Sequence, residues 1–367
     1  MEPVTRREFL AASATTMAVT AVGSRNLGLA APAVRGSNKS GSSQVTGQGE
    51  YRFRVDHGWA QLPERFRWQT THNVAVDADN FVYVIHEGRA NLKDHPSIFV
   101  FDPEGRYVRS FGKQFQGGGH GIEVRREGNR QFLYVCAYQH LKTFAKLDLK
   151  GETVWQKYAP VDSGVYAKDE DRNPKKIWGR NRFMPTNFAF IPGGDFFLVD
   201  GYGSYYIHRY DKDGNWKACF GGPGKGKGKF NLPHGIWLDT RHPGEATIVV
   251  CDRANNTVQR LKMDGSHLET LPGYGLPANA DTWKGLMVIP ELVARVTLLG
   301  PGNKVVARLG DDIQRVSADK KRSIRSNENL WRNGKFVHPH DACFDGQGNI
   351  FVAEWVGSGR VTKLTRV

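Results

Sequence analysis

The chain has 367 residues, 42 glycines and a formal net charge of +14, with 39% of its residues hydrophobic. That length suits one large domain or two ordinary ones, and the apolar content is enough to bury a full core. The basic residues are scattered and accompany no nucleic-acid motif, so the charge points away from nucleic acid and towards acidic partners, peptides or polyanions. At the N-terminus, Thr5-Arg-Arg-Glu-Phe-Leu10 followed by the mildly apolar run Ala11 to Val22 has the form of a twin-arginine export signal. Residues 1–33 are therefore expected to be removed near Ala31 and Ala33, leaving a periplasmic or extracellular protein. The apolar run is too short to remain as an integral membrane span. Export by this route carries folded chains, which suits a protein that takes up a metal first. Residues 34–50 are polar and rich in Gly and Ser, and read as a flexible linker.

From residue 51 onward the sequence repeats itself. Inner-strand copies read Asn73-Val-Ala-Val-Asp, Gly121-Ile-Glu-Val, Asn187-Phe-Ala-Phe-Ile, Gly235-Ile-Trp-Leu-Asp, Gly285-Leu-Met-Val-Ile and Asp341-Ala-Cys-Phe-Asp. Each is followed by a second apolar strand, among them Phe81-Val-Tyr-Val-Ile, Thr247-Ile-Val-Val-Cys and Ala294-Arg-Val-Thr-Leu-Leu. Third and fourth strands follow, linked by Asp-x-x-Gly turns such as Asp102 to Gly105. Four antiparallel strands repeated six times predict an all-β, six-bladed β-propeller over 51–367. The last copy ends after its third strand, so Tyr51-Arg-Phe-Arg-Val55 is expected to supply the missing outer strand. Two charged stretches, 159–184 and 311–336, interrupt the repeat and read as solvated insertions between blades. The four cysteines lie in apolar strand contexts and read as buried thiols.

A histidine precedes three of the inner strands: His120, His234 and His340, in blades two, four and six. Alternate blades of a six-fold ring lie about 120° apart, so three imidazoles can meet on one axial ion. Three protein ligands and one open position are what a catalytic zinc site requires. Blade three offers Thr186, and blade five a position near Lys284. His72 is a fourth candidate outside the alternation, and it reads as solvated or as a support for the ligands rather than as a ligand. Second strands run antiparallel, so their ends return to the same mouth with Asp200-Gly-Tyr202, Asp252-Arg253 and Glu354-Trp355. Beside a cation and a guanidinium, the Tyr202 phenol is expected to have a lowered pKa and to act as a base. Arg253 can hold a carboxylate in bidentate fashion.

With these residues in place the chain resembles NHL-repeat propellers. More narrowly, Pro185-Thr-Asn with Asp200-Gly-Tyr, Leu232-Pro-His-Gly with Cys251-Asp-Arg, and Pro339-His-Asp341 resemble peptidyl-α-hydroxyglycine α-amidating lyase. The resemblance implies zinc on His120, His234 and His340, with Tyr202 and Arg253 catalytic. It implies a structural calcium on Asp341 and the backbone carbonyls of Val74 and Ile122. The implied reaction cleaves an N-acyl-α-hydroxyglycine to an amide and glyoxylate, so a small or peptide substrate with a carboxylate is expected, on a monomeric protein. A further substrate-binding arginine of the family falls here on Glu87, with Arg89 two residues on. The family's cysteine pairs are not reproduced either. Three rival readings are a non-catalytic propeller that binds peptide, glycan or protein on its channel face, a calcium-dependent lactonase, and a lyase for a related carbinolamide or ureido substrate. The lactonase needs an acidic and amide site, and the first ring here is mostly histidine.

Overall fold

The structure is a computed structural model that describes residues 44–367 except 90, 93, 175, 176 and 243. The export signal, and residues 34–43 of the linker, lie outside the described residues. Six antiparallel sheets of four or five strands form the blades of a β-propeller. Their inner strands are Thr71–Val76, Gly119–Glu127, Asn187–Phe190, Pro233–Asp239, Asp281–Trp283 and Pro339–Phe344, and those of neighbouring blades contact one another.

The blades hold together because each second strand is apolar on both faces. Val82–His86 and Thr247–Asp252 are buried at every residue. One face packs on the blade before and the other on the blade after. Val84 joins the core shared with blade six and Ile85 the core shared with blade two. The turns between strands three and four have a local cause. The Asp102 carboxylate accepts the N–H groups of Glu104 and Arg106, and Gly105 turns back at a φ of 85°. At Gly105 a Cβ would lie 1.9 Å from the carbonyl oxygen of Trp59, so the turn is also packed against the chain.

The ring closes as the repeat count requires. Tyr51–Asp56 pairs with Arg360–Arg366, bringing the first strand of the propeller onto the last. The linker reading corrects at its end: Val45–Gln48 is a further strand, paired with Tyr51–Asp56. Blade five also corrects. The apolar run Leu286–Glu291 is its second strand, Arg295–Leu299 its third, and the inner strand is only Asp281–Trp283. The short polar inner strand carries little apolar signal, so the doubly buried second strand reads as the first.

The two insertions are not simply solvated. Glu170 is 1% exposed; its carboxylate accepts Lys142 Nζ at 2.9 Å, Arg182 Nη1 at 2.7 Å and the Phe183 N–H at 3.0 Å. The second insertion folds into two short helices, Ile313–Ala318 and Ser323–Ser326. Val316, Ile324 and Trp331 from it build a separate small core with Ala294, Val337 and Val356. The four cysteines are free thiols, three buried and Cys219 half-buried.

Candidate metal centre

The inner strands bring His120, His234 and His340 together at one mouth of the channel. Their ring centroids lie 4.5–5.0 Å apart, and each is at most 2% exposed. One device sets all three orientations. The Nδ1–H of each donates to the backbone carbonyl at the same position of the next blade: His120 to Thr186 at 2.8 Å, His234 to Ala278 at 2.7 Å, His340 to His72 at 2.7 Å. A carbonyl only accepts, so Nδ1 carries the proton and Nε2 keeps its lone pair for the axis. The glycine after the first two histidines makes this contact possible. A Cβ on Gly121 would lie 2.5 Å from the Thr186 oxygen, and one on Gly235 2.4 Å from Asn279 Cα. The same register identifies Ala278 as the ring position of blade five, rather than a residue near Lys284.

These residues fit a zinc-like ion. His120 Nε2 and His234 Nε2 are 3.0 Å apart, close to the ~3.3 Å that two ligands separate to on a tetrahedral ion. Burial, followed by the charges of His72 and Arg253 for different members, holds all three imidazoles well below the usual histidine range, so they are neutral and ready to ligate.

Tyr202 joins them directly. Its hydroxyl is 3.1 Å from His120 Nε2 and 2.9 Å from His234 Nε2. The turn that presents it is built by Asp200, whose carboxylate accepts the N–H groups of Met184, Gly203 and Ser204. Tyr166 of the first insertion adds its hydroxyl to the same carboxylate at 2.8 Å. Burial raises the Tyr202 phenol above its ordinary value and outweighs the Arg253 guanidinium, which acts the other way. Of the two causes expected to lower this phenol, a cation and a guanidinium, the Arg253 guanidinium by itself does not offset burial. Arg253 is fully buried at the start of the turn after Asp252, and burial pulls it down to about 10.

His72 is not solvated: it is 1% exposed, with its ring 4.7 Å from His120 and 4.6 Å from His340 between centroids. Ring nitrogens of His72, His120 and His340 all lie within 4.8 Å of one another. Glu87 is beside it, accepting the Tyr138 hydroxyl at 2.7 Å and Gln139 Nε2 at 2.5 Å. Burial raises the Glu87 carboxyl, but His72, Tyr138 and Arg325 together bring it below its ordinary value. Arg89 is solvent-exposed, and its backbone N–H bonds the Gln116 side chain.

One residue further along the inner strands the donors change from nitrogen to oxygen. Asp341 accepts the Val74 N–H at 2.8 Å and Asn279 Nδ2 at 2.6 Å. The side-chain oxygens of Asn73, Asn187 and Asn279 are buried without a hydrogen-bond partner among the described residues. Burial, then Asp341 and Asp281, pushes the Glu123 carboxyl well up. Such an oxygen-lined pocket fits a hard cation such as calcium at Asp341, with Val74 and Ile122 on the adjoining strands.

The insertions supply residues that repeat-based reading misses. Trp178 packs on Tyr202 and Tyr138, with centroids 5.3 and 6.0 Å away, and Arg180 Nη2 donates to the Tyr202 carbonyl at 3.2 Å. Arg325 stacks 3.6 Å over Trp355, which shares an apolar cluster with Tyr138 and Tyr202. An arginine and a tryptophan inside charged stretches were the available signal.

The architecture is that of the six-bladed propellers, a class with both enzymes and binding proteins. No family model matches the chain. It is 27% identical to the human NHL repeat-containing protein 3 over 219 residues, 58% of this chain and 57% of that protein. The mouse NHL repeat-containing protein 3 matches at 27% over 220 residues, again 58% and 57%. The chain thus spans a little over half the length of these relatives, and the likeness is to NHL-repeat propellers. Among solved structures, a streptogramin B lyase superposes with a TM-score of 0.54 at 13% identity, covering 85% of this chain and 97% of that one. A gluconolactonase from Xanthomonas campestris gives a TM-score of 0.56 at 12% identity, covering 90% and 99%. At these identities the likeness is one of fold.

Proposed function

We propose that this protein is a metal-dependent carbon–nitrogen lyase of the peptidyl-α-hydroxyglycine α-amidating kind, cleaving an N-acyl-α-hydroxyglycine to an amide and glyoxylate. The observation that carries the reading is the Tyr202 hydroxyl within 3.1 Å of two imidazole nitrogens whose lone pairs share one axis. His120, His234 and His340 would hold the ion, zinc by preference. Bound there, it would supply Lewis acidity towards the substrate's oxygens. Tyr202 Oη, which a cation held beside it would favour as the phenolate, takes the proton of the α-hydroxyl as the C–N bond breaks and returns it to the leaving nitrogen; the carbon becomes the aldehyde of glyoxylate and the nitrogen the amide. Arg253, buried beside Tyr202, neutralises and orients the substrate carboxylate. A calcium at Asp341 would brace the channel, and the protein would act as a monomer after twin-arginine export. Among the described residues no helix is long and apolar enough to cross a membrane.

Purified protein loaded with zinc should release benzamide and glyoxylate from α-hydroxyhippurate. No release at saturating metal would defeat the reading. Glu87 favours a second reading, because it places a carboxylate on the wall of the site. A related carbinolamide or ureido substrate without its own carboxylate would then be turned over in preference to α-hydroxyhippurate.

A further inference from the structure

His72 breaks the rule that orients the other three histidines. His120, His234 and His340 each spend Nδ1 on the next blade's carbonyl. In His72 both ring nitrogens are buried with no hydrogen-bond partner among the described residues, and Nε2 lies 3.4 Å from Glu87 Oε2 as an ion-pair contact. A buried imidazole nitrogen left unpartnered loses the hydrogen bond that water would have given it. The ring is nonetheless held in place, stacked at 6.2 Å on Tyr138 and packed against His120 and His340. Its carboxylate neighbour is held as firmly, by Tyr138 and Gln139.

We propose that His72 is a fourth nitrogen ligand of the metal, and that Glu87 positions it by accepting the proton of its other ring nitrogen. This inference rests on the metal part of the function proposed above, but not on the lyase chemistry. A carboxylate that accepts the distal N–H of a ligating imidazole fixes its tautomer and raises its basicity. Glu87 fills that place for His72 as the backbone carbonyls do for the other three. The centre is then a ring of four imidazoles that keeps one position for substrate as a five-coordinate ion. Four imidazole nitrogen donors select borderline first-row divalent metals over calcium or magnesium. The assignment also makes Glu87 a positioning residue rather than a contact to substrate.

The test uses the full chain loaded with Cu2+ or Co2+. Pulsed electron paramagnetic resonance of the Cu2+ wild type counts coordinated imidazoles without any variant; four are expected, and three would overturn the proposal. In the Co2+ form, the weak visible bands of a five-coordinate ion should strengthen several-fold in His72→Ala as the centre becomes four-coordinate. His72→Ala and Glu87→Gln should each lower affinity by about 10–100-fold, with the larger loss for His72→Ala. Unchanged spectra and affinity in His72→Ala would refute the assignment, as would a wild type that binds neither ion. Four imidazoles on the metal with no amide released from α-hydroxyhippurate would leave this inference standing and remove the lyase reading.

Discussion

Two layers of the channel, one residue apart on the same inner strands, offer different donor atoms. The first offers imidazole nitrogens: His72, His120, His234 and His340. The next offers oxygens: Asp341 and the amides of Asn73, Asn187 and Asn279, with Glu123 facing them. Burial and neighbouring positive charge hold His120, His234 and His340 well below the usual histidine range. The oxygen layer carries carboxylates whose charge burial opposes. The difference teaches how a propeller separates chemistry. A single step along a strand exchanges nitrogen donors for oxygen donors, and the glycines beside His120 and His234 hold the first in register.

The comparison breaks most completely if a ligand of the nitrogen layer is removed. His120→Ala should weaken binding of a first-row metal by at least about 100-fold while calcium binding is unchanged, both read by titration calorimetry. Loss of both ions together would mean that the layers are not independent. Next in size, Tyr202→Phe should keep its metal but lower amide release by about 10²–10⁴-fold, measured as glyoxylate formed. An undiminished rate would remove Tyr202 from the chemistry.

Stability sharpens the contrast further. Glu170→Ala leaves the buried Lys142 ammonium without its carboxylate and should cost about 3–5 kcal/mol by chemical denaturation. A loss below 1 kcal/mol, about the value of an exposed pair, would show that the Lys142–Glu170 pair does not behave as a buried one. The smallest effect is a pH slope from the oxygen layer. Burial lifts Asp281 to about 7, above its unfolded value, with Asp341 adding to the shift. The folded state then holds a proton that the unfolded state has released between about pH 4 and 7, so stability falls as pH rises through that window, by up to roughly 1.4 kcal/mol per unit. Asp281→Asn should flatten that slope in the metal-free protein, and an unchanged slope would mean that Asp281 is charged in the fold.

Much of this was legible in the sequence, because a propeller writes each blade in the same order. The histidines of blades two, four and six could be placed on one axis from their distance to an alternating strand. Tyr202 and Arg253 followed from strand two ending at the same mouth. What could not be read has physical causes. Blade five hid its ring position because Asp281–Trp283 is short and polar, with the stronger apolar run in the next strand. His72 looked solvated because its partner Glu87 reaches it only after the strands fold back. Glu170 and Arg325 sit in charged insertions, where burial depends on Lys142 and Trp355, which are remote in the chain.

The most direct test of the account is the transition-metal content of the purified full-length protein beside His234→Ala, by mass spectrometry after zinc loading and desalting. The account predicts close to one zinc per wild-type chain and less than about a tenth of that in the variant. Equal zinc in both, or none in the wild type, would contradict it.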